Sequence, residues 1–167
     1  MTTTTRVVID GKSLTIRPVS VADSAALVEM HRGLSQQTVY QRFLGAMPEL
    51  GVLQADRFTH VDGTDRVALV VEDEAGHLVA VGRYDRLPPD YRQAEVAFVV
   101  ADCYQHHGLG RTLVRLLVAQ ARAAGVDVFL ADVLTTNAAM QHTFADAGLV
   151  ATSSYDCGVS HLVMPLS

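Results

Sequence analysis

A short glycine-containing loop in the second half of the chain has the composition of an anion-binding site. Its residues are Gln105, His106, His107, Gly108, Leu109, Gly110 and Arg111, and an amphipathic segment with helical spacing follows them. The first N–H groups of a helix lack intrahelical partners and carry partial positive charge, so they attract phosphates. Glycine allows close approach to the main chain, and arginine adds a full charge. An ordinary helix start would have the same sequence, so the loop alone leaves both interpretations open.

The common nucleotide-binding loops do not account for this segment. A Walker loop requires a Gly-Lys-Ser or Gly-Lys-Thr step, which the loop lacks. A Rossmann fingerprint requires a third glycine, and Leu113 stands at that position. That fingerprint also follows the first strand of its domain, whereas this loop lies past the middle of the chain. The ligand therefore has to be inferred from the context of the loop.

A single carboxylate interrupts an otherwise apolar segment just before this loop. Glu95 lies in the segment 94–100, where strand alternation places it on one face with Ala97 and Val99. We expect partial burial, which would raise its pKa above the ordinary value of about 4.3 and suit a general base. An exposed glutamate paired with Arg92 or Arg83 at the end of a strand is an equally good interpretation.

The composition indicates one globular domain, residues 1–167. The chain is 49% hydrophobic, so it can bury a core, and its net charge of -5 argues against nucleic acid as a partner. No apolar run is long enough to span a membrane, and the threonine-rich N-terminal leader has no signal-peptide pattern. Cys103 and Cys157 are far apart and have no metal-site spacing. We therefore expect a cytoplasmic protein that needs no metal.

Hydrophobic periodicity predicts helices and strands in a mixed order. Strands are expected at 7–9, 14–17, 67–71, 78–82, 94–100, 126–134, 150–152 and 161–164. Helices are expected at 20–34, at 35–43 with Gly45 and Pro48 ending it, at 52–59, at 108–124 and at 136–147. Several strands are apolar on both faces, which predicts a sheet covered on both sides.

This order of elements, with Gln-x-x-Gly-x-Gly opening the longest helix, resembles the GCN5-related N-acetyltransferase family from about residue 14 to residue 164. The resemblance implies an α/β (α+β) fold. Its sheet is mixed, mostly antiparallel and six- to seven-stranded, is splayed between the fourth and fifth strands, and has helices on both faces. It implies acetyl-CoA as the cofactor, with the loop from Gln105 to Arg111 around the pyrophosphate.

The same resemblance assigns further cofactor contacts. Pantetheine would pair with the free edge of the fourth strand at Phe98, Val99 and Val100. Asn137 would bond the pantetheine or pyrophosphate region, and Phe144 would flank the arm. From the residues themselves, Asn137 is equally well explained as a helix cap, and Phe144 is expected to be buried in any case.

Several segments are similar, more narrowly, to bacterial protein lysine acetyltransferases that modify acyl-CoA synthetases. They are 34–35, 40–43, 59–62, 82–88, 94–100 and 131–134. The resemblance implies that Glu95 is the base, and the oxyanion donor is expected to be the N–H of Val99 or a neighbour. In many members a tyrosine in the helix after the fifth strand is proposed to protonate the leaving thiolate. Here that region contains Phe144, and Tyr155 is too far along the chain to take the role. The general acid is therefore unassigned.

We therefore expect direct acetyl transfer to a lysine of a protein such as an acyl-CoA synthetase. The alternatives are acetylation of a small amine (an antibiotic, polyamine or amino acid) and a non-catalytic acyl-CoA-binding module. Arg42, Arg83 and Tyr84 are candidates for the acceptor groove, and solvated surface explains them equally well. An acyl intermediate on Cys103 is disfavoured because nothing nearby would lower its pKa. A homodimer is compatible with the sequence.

Overall fold

The computed structural model describes residues 4–47 and 49–167 and contains a single sheet with helices on both faces. The strands are β1 (Thr5–Ile9), β2 (Lys12–Pro18), β3 (Arg66–Glu72), β4 (Leu78–Leu87), β5 (Gln93–Val100), β6 (Val128–Leu134), β7 (Thr152–Asp156) and β8 (Val159–Pro165). The helices are α1 (Ser24–Arg32), α2 (Gln36–Phe43), α3 (Val52–Thr59), α4 (Leu109–Ala123) and α5 (Ala138–Asp146). Residues 1–3 of the predicted N-terminal leader and the helix-ending role of Pro48 lie outside the described residues.

The sheet has the strand order β1-β2-β3-β4-β5-β6-β8-β7. All pairs are antiparallel except β5 with β6, which confirms a mixed, mostly antiparallel sheet. The predicted number of six to seven strands is too low. Within residues 4–47 and 49–167 the sheet has eight strands, because the hairpin of β1 and β2 joins one edge and both closing segments pair at the other.

The predicted separation between the fourth and fifth main strands is also present, here between β5 and β6. Their parallel pairing covers only Gln93 with Val128, Ala94 with Phe129 and Glu95 with Leu130. The remaining five residues of β5 run on to Val100 without pairing to β6. The sheet is therefore continuous at one end of these strands and open at the other.

Two hydrophobic cores lie on opposite faces of the sheet. Alternation along β5 sends Val96, Phe98 and Val100 into the larger core, with α4 and with Phe144 of α5. Val99 faces the smaller core beneath α1 and α3. In the part of the chain that the structure describes, no helix is long and apolar enough to cross a membrane.

Helix α4 lies unusually close to the sheet at Gly82. It has an apolar stripe whose members Leu113, Val114 and Leu117 are fully buried. A Cβ added to Gly82 would lie 2.9 Å from Leu113 Cδ2 and 3.0 Å from Leu117 Cδ1. The absence of a side chain at Gly82 thus sets the distance between the sheet and the helix that opens with the glycine loop.

Gly82→Ala should lower the free energy of unfolding by about 1 to 3 kcal/mol, because overpacking forces α4 away from β4. Urea denaturation measures the change. Gly45→Ala is the matched control: a Cβ at Gly45 meets nothing within 4 Å, so its effect should stay within about 0.5 kcal/mol. Equal stability of the Gly82→Ala protein and the wild type would contradict the close packing described here.

Candidate functional site

The separation of β5 from β6 opens a cleft of about 670 Å³, within the range of roughly 300 to 1,000 Å³ typical of small-molecule and cofactor sites. One wall is the free edge of β5, and the glycine loop and α5 form two others. The predicted residues that line it are Phe98, Val99, Val100, Gln105, His106, His107, Gly108, Gly110, Arg111 and Asn137.

The free edge of β5 offers main-chain groups at alternate residues. The N–H of Ala101 donates to the carbonyl oxygen of Val79 on β4 at 2.8 Å. By alternation Val99 also directs its N–H towards β4, whereas Phe98 and Val100 direct theirs into the cleft. The oxyanion donor was predicted to be Val99 or a neighbour; the N–H of Val99 points away from the cleft, and those of its two neighbours point into it.

The N-terminus of α4 lies at the far end of the cleft. Gly108 precedes the helix with φ +84°, which glycine adopts without strain, and no side chain caps the first turn. The first turn contains no acidic residue. The unpaired N–H groups and the helix dipole therefore favour an anion here.

Gly110 brings this turn close to its neighbours. A Cβ at Gly110 would lie 3.2 Å from Phe98 Cε2 and 3.3 Å from Thr143 Cγ2. Leu109 between the two glycines is 1% exposed and belongs to the core. Leu109 thus fixes the turn from inside and does not line the cleft, in contrast to the prediction that it contacts the cofactor.

The side chain of Gln105 acts within the protein. Its amide nitrogen donates to the carbonyl oxygen of Val100 at 2.9 Å and to Thr38 Oγ1 at 3.1 Å. It therefore occupies one of the acceptors that β6 leaves free and joins the end of β5 to α2. His107 contacts Asp10 in the turn between β1 and β2.

Asn137 and Phe144 show the structural roles considered for them. The side-chain oxygen of Asn137 accepts from the N–H of Met140 at 3.2 Å, so it caps α5. Phe144 is 1% exposed and packs edge-on against Phe98, with 5.5 Å between the ring centroids. It does not line the cleft, because it lies on the buried stripe of its helix; the prediction that Phe144 flanks the cofactor is therefore not supported.

Helix α2 supplies another wall of the cleft through Thr38, Gln41 and Arg42. Of these, only Arg42 was expected from the sequence, as a candidate for the acceptor groove. Asp102 holds this helix in place. It accepts from the N–H of Ser35 at 2.9 Å, from Ser35 Oγ at 2.6 Å and from Thr38 Oγ1 at 2.8 Å. Burial opposes ionisation of Asp102, but the hydrogen bonds from Ser35 and Thr38 outweigh it, so the pKa of Asp102 lies below its ordinary value.

Other lining residues also escaped prediction. They are Tyr104, Ala139, Met140, His142, Thr143 and Asp146. Most of them lie on the exposed side of α5, opposite its buried stripe. The helical periodicity that places Phe144 in the core also defines the exposed side of α5. It could therefore have indicated which residues of this helix face the cleft.

Glu95 lies just before the point where β5 and β6 separate. Its side chain is exposed, so the expected partial burial is wrong, and neither Arg92 nor Arg83 pairs with it. Arg83 instead binds Asp85, the residue opposite Glu95 on β4, through Nε at 3.0 Å and Nη2 at 2.8 Å. Arg92 pairs with Asp127.

Arg42 places a positive charge near this carboxylate. Burial and the charge of Arg83 lower the pKa of Arg42 to about 10, while Glu95 and Asp85 act in the opposite direction. Arg42 therefore stays charged at neutral pH.

Glu95 also borders an open part of the sheet. Strand register places Glu95 beside Leu130, Leu130 beside Val163, and Val163 beside Thr152. The next row across the sheet carries Asp132, whose carboxylate pairs with His161 at 2.6 Å. This open face, defined by residues 130, 132, 152, 161 and 163, continues the surface on which Glu95 lies.

A family model described as the acetyltransferase (GNAT) family matches residues 29–149. The chain belongs to the GNAT family. It is 33% identical over 141 residues to the acetyltransferase Pat of Mycolicibacterium smegmatis, covering 84% of this chain. It also superimposes on the GNAT domain of S. lividans PAT with a TM-score of 0.89 and 35% identity, covering 97% of this chain and 96% of that one.

A third relative is an acetyltransferase of Pseudomonas aeruginosa, 31% identical over 144 residues, which cover 84% of this chain and 77% of the relative. The chain spans only 42% of the length of the Mycolicibacterium protein. The similarity to that protein therefore concerns less than half of its length.

Asp102→Asn should lower the free energy of unfolding at pH 7 by about 1 kcal/mol, because α2 loses a charged acceptor. Since the folded-state pKa is lowered, the contribution is complete above the ordinary aspartate pKa of about 3.9 and is lost as the pH falls through the folded value. Urea denaturation from pH 7 to pH 3 should show the two proteins converging in acid. Asp156→Asn, at an exposed position on β7, should change little, and a pH-independent difference for Asp102→Asn would contradict the assignment.

Proposed function

We propose that this protein is an acetyl-CoA-dependent N-acetyltransferase that modifies a lysine side chain of another protein, with an acyl-CoA synthetase as the first candidate. The observation that carries the proposal is the cleft between β5 and β6. It joins an anion-binding helix terminus to an unpaired strand edge and ends near Glu95. The two free and exposed cysteines fit a reducing, cytoplasmic location.

The residues of the cleft match the chemical parts of acetyl-CoA in order. The first turn of α4, with Arg111, suits the pyrophosphate. The cleft-facing main chain of Phe98 and Val100 suits the amides of pantetheine, which can pair with a strand edge. When bound, acetyl-CoA supplies an acetyl group activated as a thioester.

The protein's own groups act on the acceptor and on the carbonyl oxygen. A lysine has an ordinary pKa of about 10.4, so it has to lose a proton before its nitrogen is nucleophilic. Glu95 accepts that proton directly or through a water molecule. The N–H groups at the free edge of β5 stabilise the negative charge that develops on the carbonyl oxygen.

The surroundings of Glu95 support a protein as the acceptor. Glu95 is exposed and borders the open face, on which Val163 is 41% exposed. A small amine would instead be expected to enter a concave pocket that buries most of its surface. The segments that are similar to bacterial protein lysine acetyltransferases, the one around Glu95 among them, support the same choice.

Glu95→Gln should lower the rate of lysine acetylation at least about 100-fold, because a general base contributes roughly 100- to 10,000-fold. The affinity for coenzyme A should stay within about twofold, since Glu95 does not line the cleft. Labelled acetyl-CoA with an acyl-CoA synthetase measures the rate, and calorimetry measures the affinity.

Glu74→Gln, in the exposed turn between β3 and β4, is the matched control and should behave as the wild type. An unchanged rate for Glu95→Gln would refute the base assignment. Efficient release of thiol with a small amine, and none with any protein, would replace the protein acceptor by a small molecule.

A further inference from the structure

A second, smaller cavity lies next to the cleft on the other face of the sheet. It has a volume of about 40 Å³ and lies between α1, α2, α3 and strands β3 to β5. Its walls are mostly apolar, with Leu27, Met30, Phe58 and Val81 among them. Arg42 and Val99 line both the cleft and this cavity, so the two spaces adjoin at the strand edge where the thioester is expected.

The cavity contains a charged donor that lacks an acceptor. Arg83 lines it, and its side chain is 15% exposed. Nε and Nη2 bind Asp85, and the guanidinium lies over the ring of Phe58 at 5.1 Å. Nη1 is fully buried and has no hydrogen-bond partner among the described residues. A buried charged donor without an acceptor is costly, so Nη1 is the place in this cavity where an oxygen acceptor would be bound.

The charges and the size of the cavity restrict that ligand. Arg42 and Arg83 both lie in the wall. Asp85 takes two of the donors of Arg83, so the remaining donor Nη1, with the charge of Arg42 beside it, favours a carboxylate over an ammonium group. A water molecule needs roughly 10 to 15 Å³ of such space, so the cavity holds about three atoms of that size. That is the size of the carboxylate by which a malonyl group exceeds an acetyl group, and succinyl is one methylene longer.

We propose that this cavity is an acyl subsite that admits donors with a terminal carboxylate, malonyl-CoA or succinyl-CoA. The proposal rests on the proposed function, since it assumes that the thioester lies at the end of the cleft. The terminal carboxylate accepts from Arg83 Nη1, and the apolar side chains contact the methylene groups. An alkyl chain of equal length, as in butyryl, fills the space but leaves Nη1 without an acceptor.

The transfer itself follows the same course as for acetyl. The lysine nitrogen forms an amide bond to the acyl carbon while the carbon–sulfur bond breaks. The first proton of the lysine ammonium passes to Glu95, and the second leaves the nitrogen as the amide forms and is taken up by the departing thiolate or by solvent. The electron pair of the broken bond leaves with the sulfur of coenzyme A. The terminal carboxylate is unchanged and ends on the modified lysine.

Calorimetry with the wild-type protein and coenzyme A, acetyl-CoA, butyryl-CoA, malonyl-CoA and succinyl-CoA tests the subsite without turnover. We expect malonyl-CoA or succinyl-CoA to bind at least tenfold more tightly than butyryl-CoA. Arg83→Met should reduce that preference at least fivefold. Arg32→Met, the matched change at an exposed arginine, should leave the preference unchanged.

A second variant keeps both guanidinium groups. Ala68 lines the cavity and is 3% exposed, so Ala68→Val fills the space and should weaken binding of malonyl-CoA and succinyl-CoA relative to acetyl-CoA at least fivefold.

Free succinate added with coenzyme A tests the alternative source of a carboxylate. If free succinate binds in the presence of coenzyme A as tightly as succinyl-CoA does, the cavity takes a separate acid and the acyl assignment is wrong.

The remaining outcomes separate the two proposals. If malonyl-CoA and succinyl-CoA bind no better than butyryl-CoA, the subsite is refuted while the cofactor cleft stands. If no ester of coenzyme A binds at all, both the subsite and the proposed function are refuted.

Discussion

Two neighbouring strands that begin as a pair and then separate leave main-chain groups that need partners, and this constraint governs the site. Buried N–H and carbonyl groups are rarely left unpaired in proteins. Beyond Glu95, β5 loses its partner on the β6 side. Gln105 occupies the carbonyl of Val100, and the neighbouring groups remain for a ligand that can act as a strand. The cleft is therefore a gap in the hydrogen-bond pattern of the sheet. It favours a ligand whose amide groups can pair with β5 as a neighbouring strand would.

The same break determines what surrounds the cleft. Gln105 is bonded to Thr38, and Thr38 to Asp102, so the free end of β5, the glycine loop and α2 form one connected network. On the opposite side, Gly82 allows α4 to approach the sheet, and the positive N-terminus of this helix lines the cleft. The positive N-terminus of α4, which suits an anion, and the free main-chain groups of β5, which suit an amide, thus face the same cleft.

The sequence was informative where one local pattern decides the outcome. Helical periodicity and the flanking glycines located α4, and alternation assigned the faces of β5. Alternation could not show that the sheet face carrying Glu95 is exposed to solvent. Whether a helix covers that face depends on how helices distant in sequence pack on the sheet. Asp102 escaped notice because its partners lie 64 and 67 residues away. The family resemblance assigned Leu109 and Phe144 to the cofactor, as part of the loop and of the helix after β6, yet both side chains lie in the core.

The packing of Leu109 and Gly110 has a consequence for the thermodynamics of binding. The first turn of α4 is held by a buried leucine beneath it and by close contact with Phe98 and Thr143. Its N–H groups therefore have their final orientation before a ligand arrives, and little conformational entropy is lost when one binds. Such preorganisation makes the phosphate end of the cleft a rigid anchor. The free energy gained at the anchor then remains available to position the reactive end of the ligand, about a strand's length away along β5.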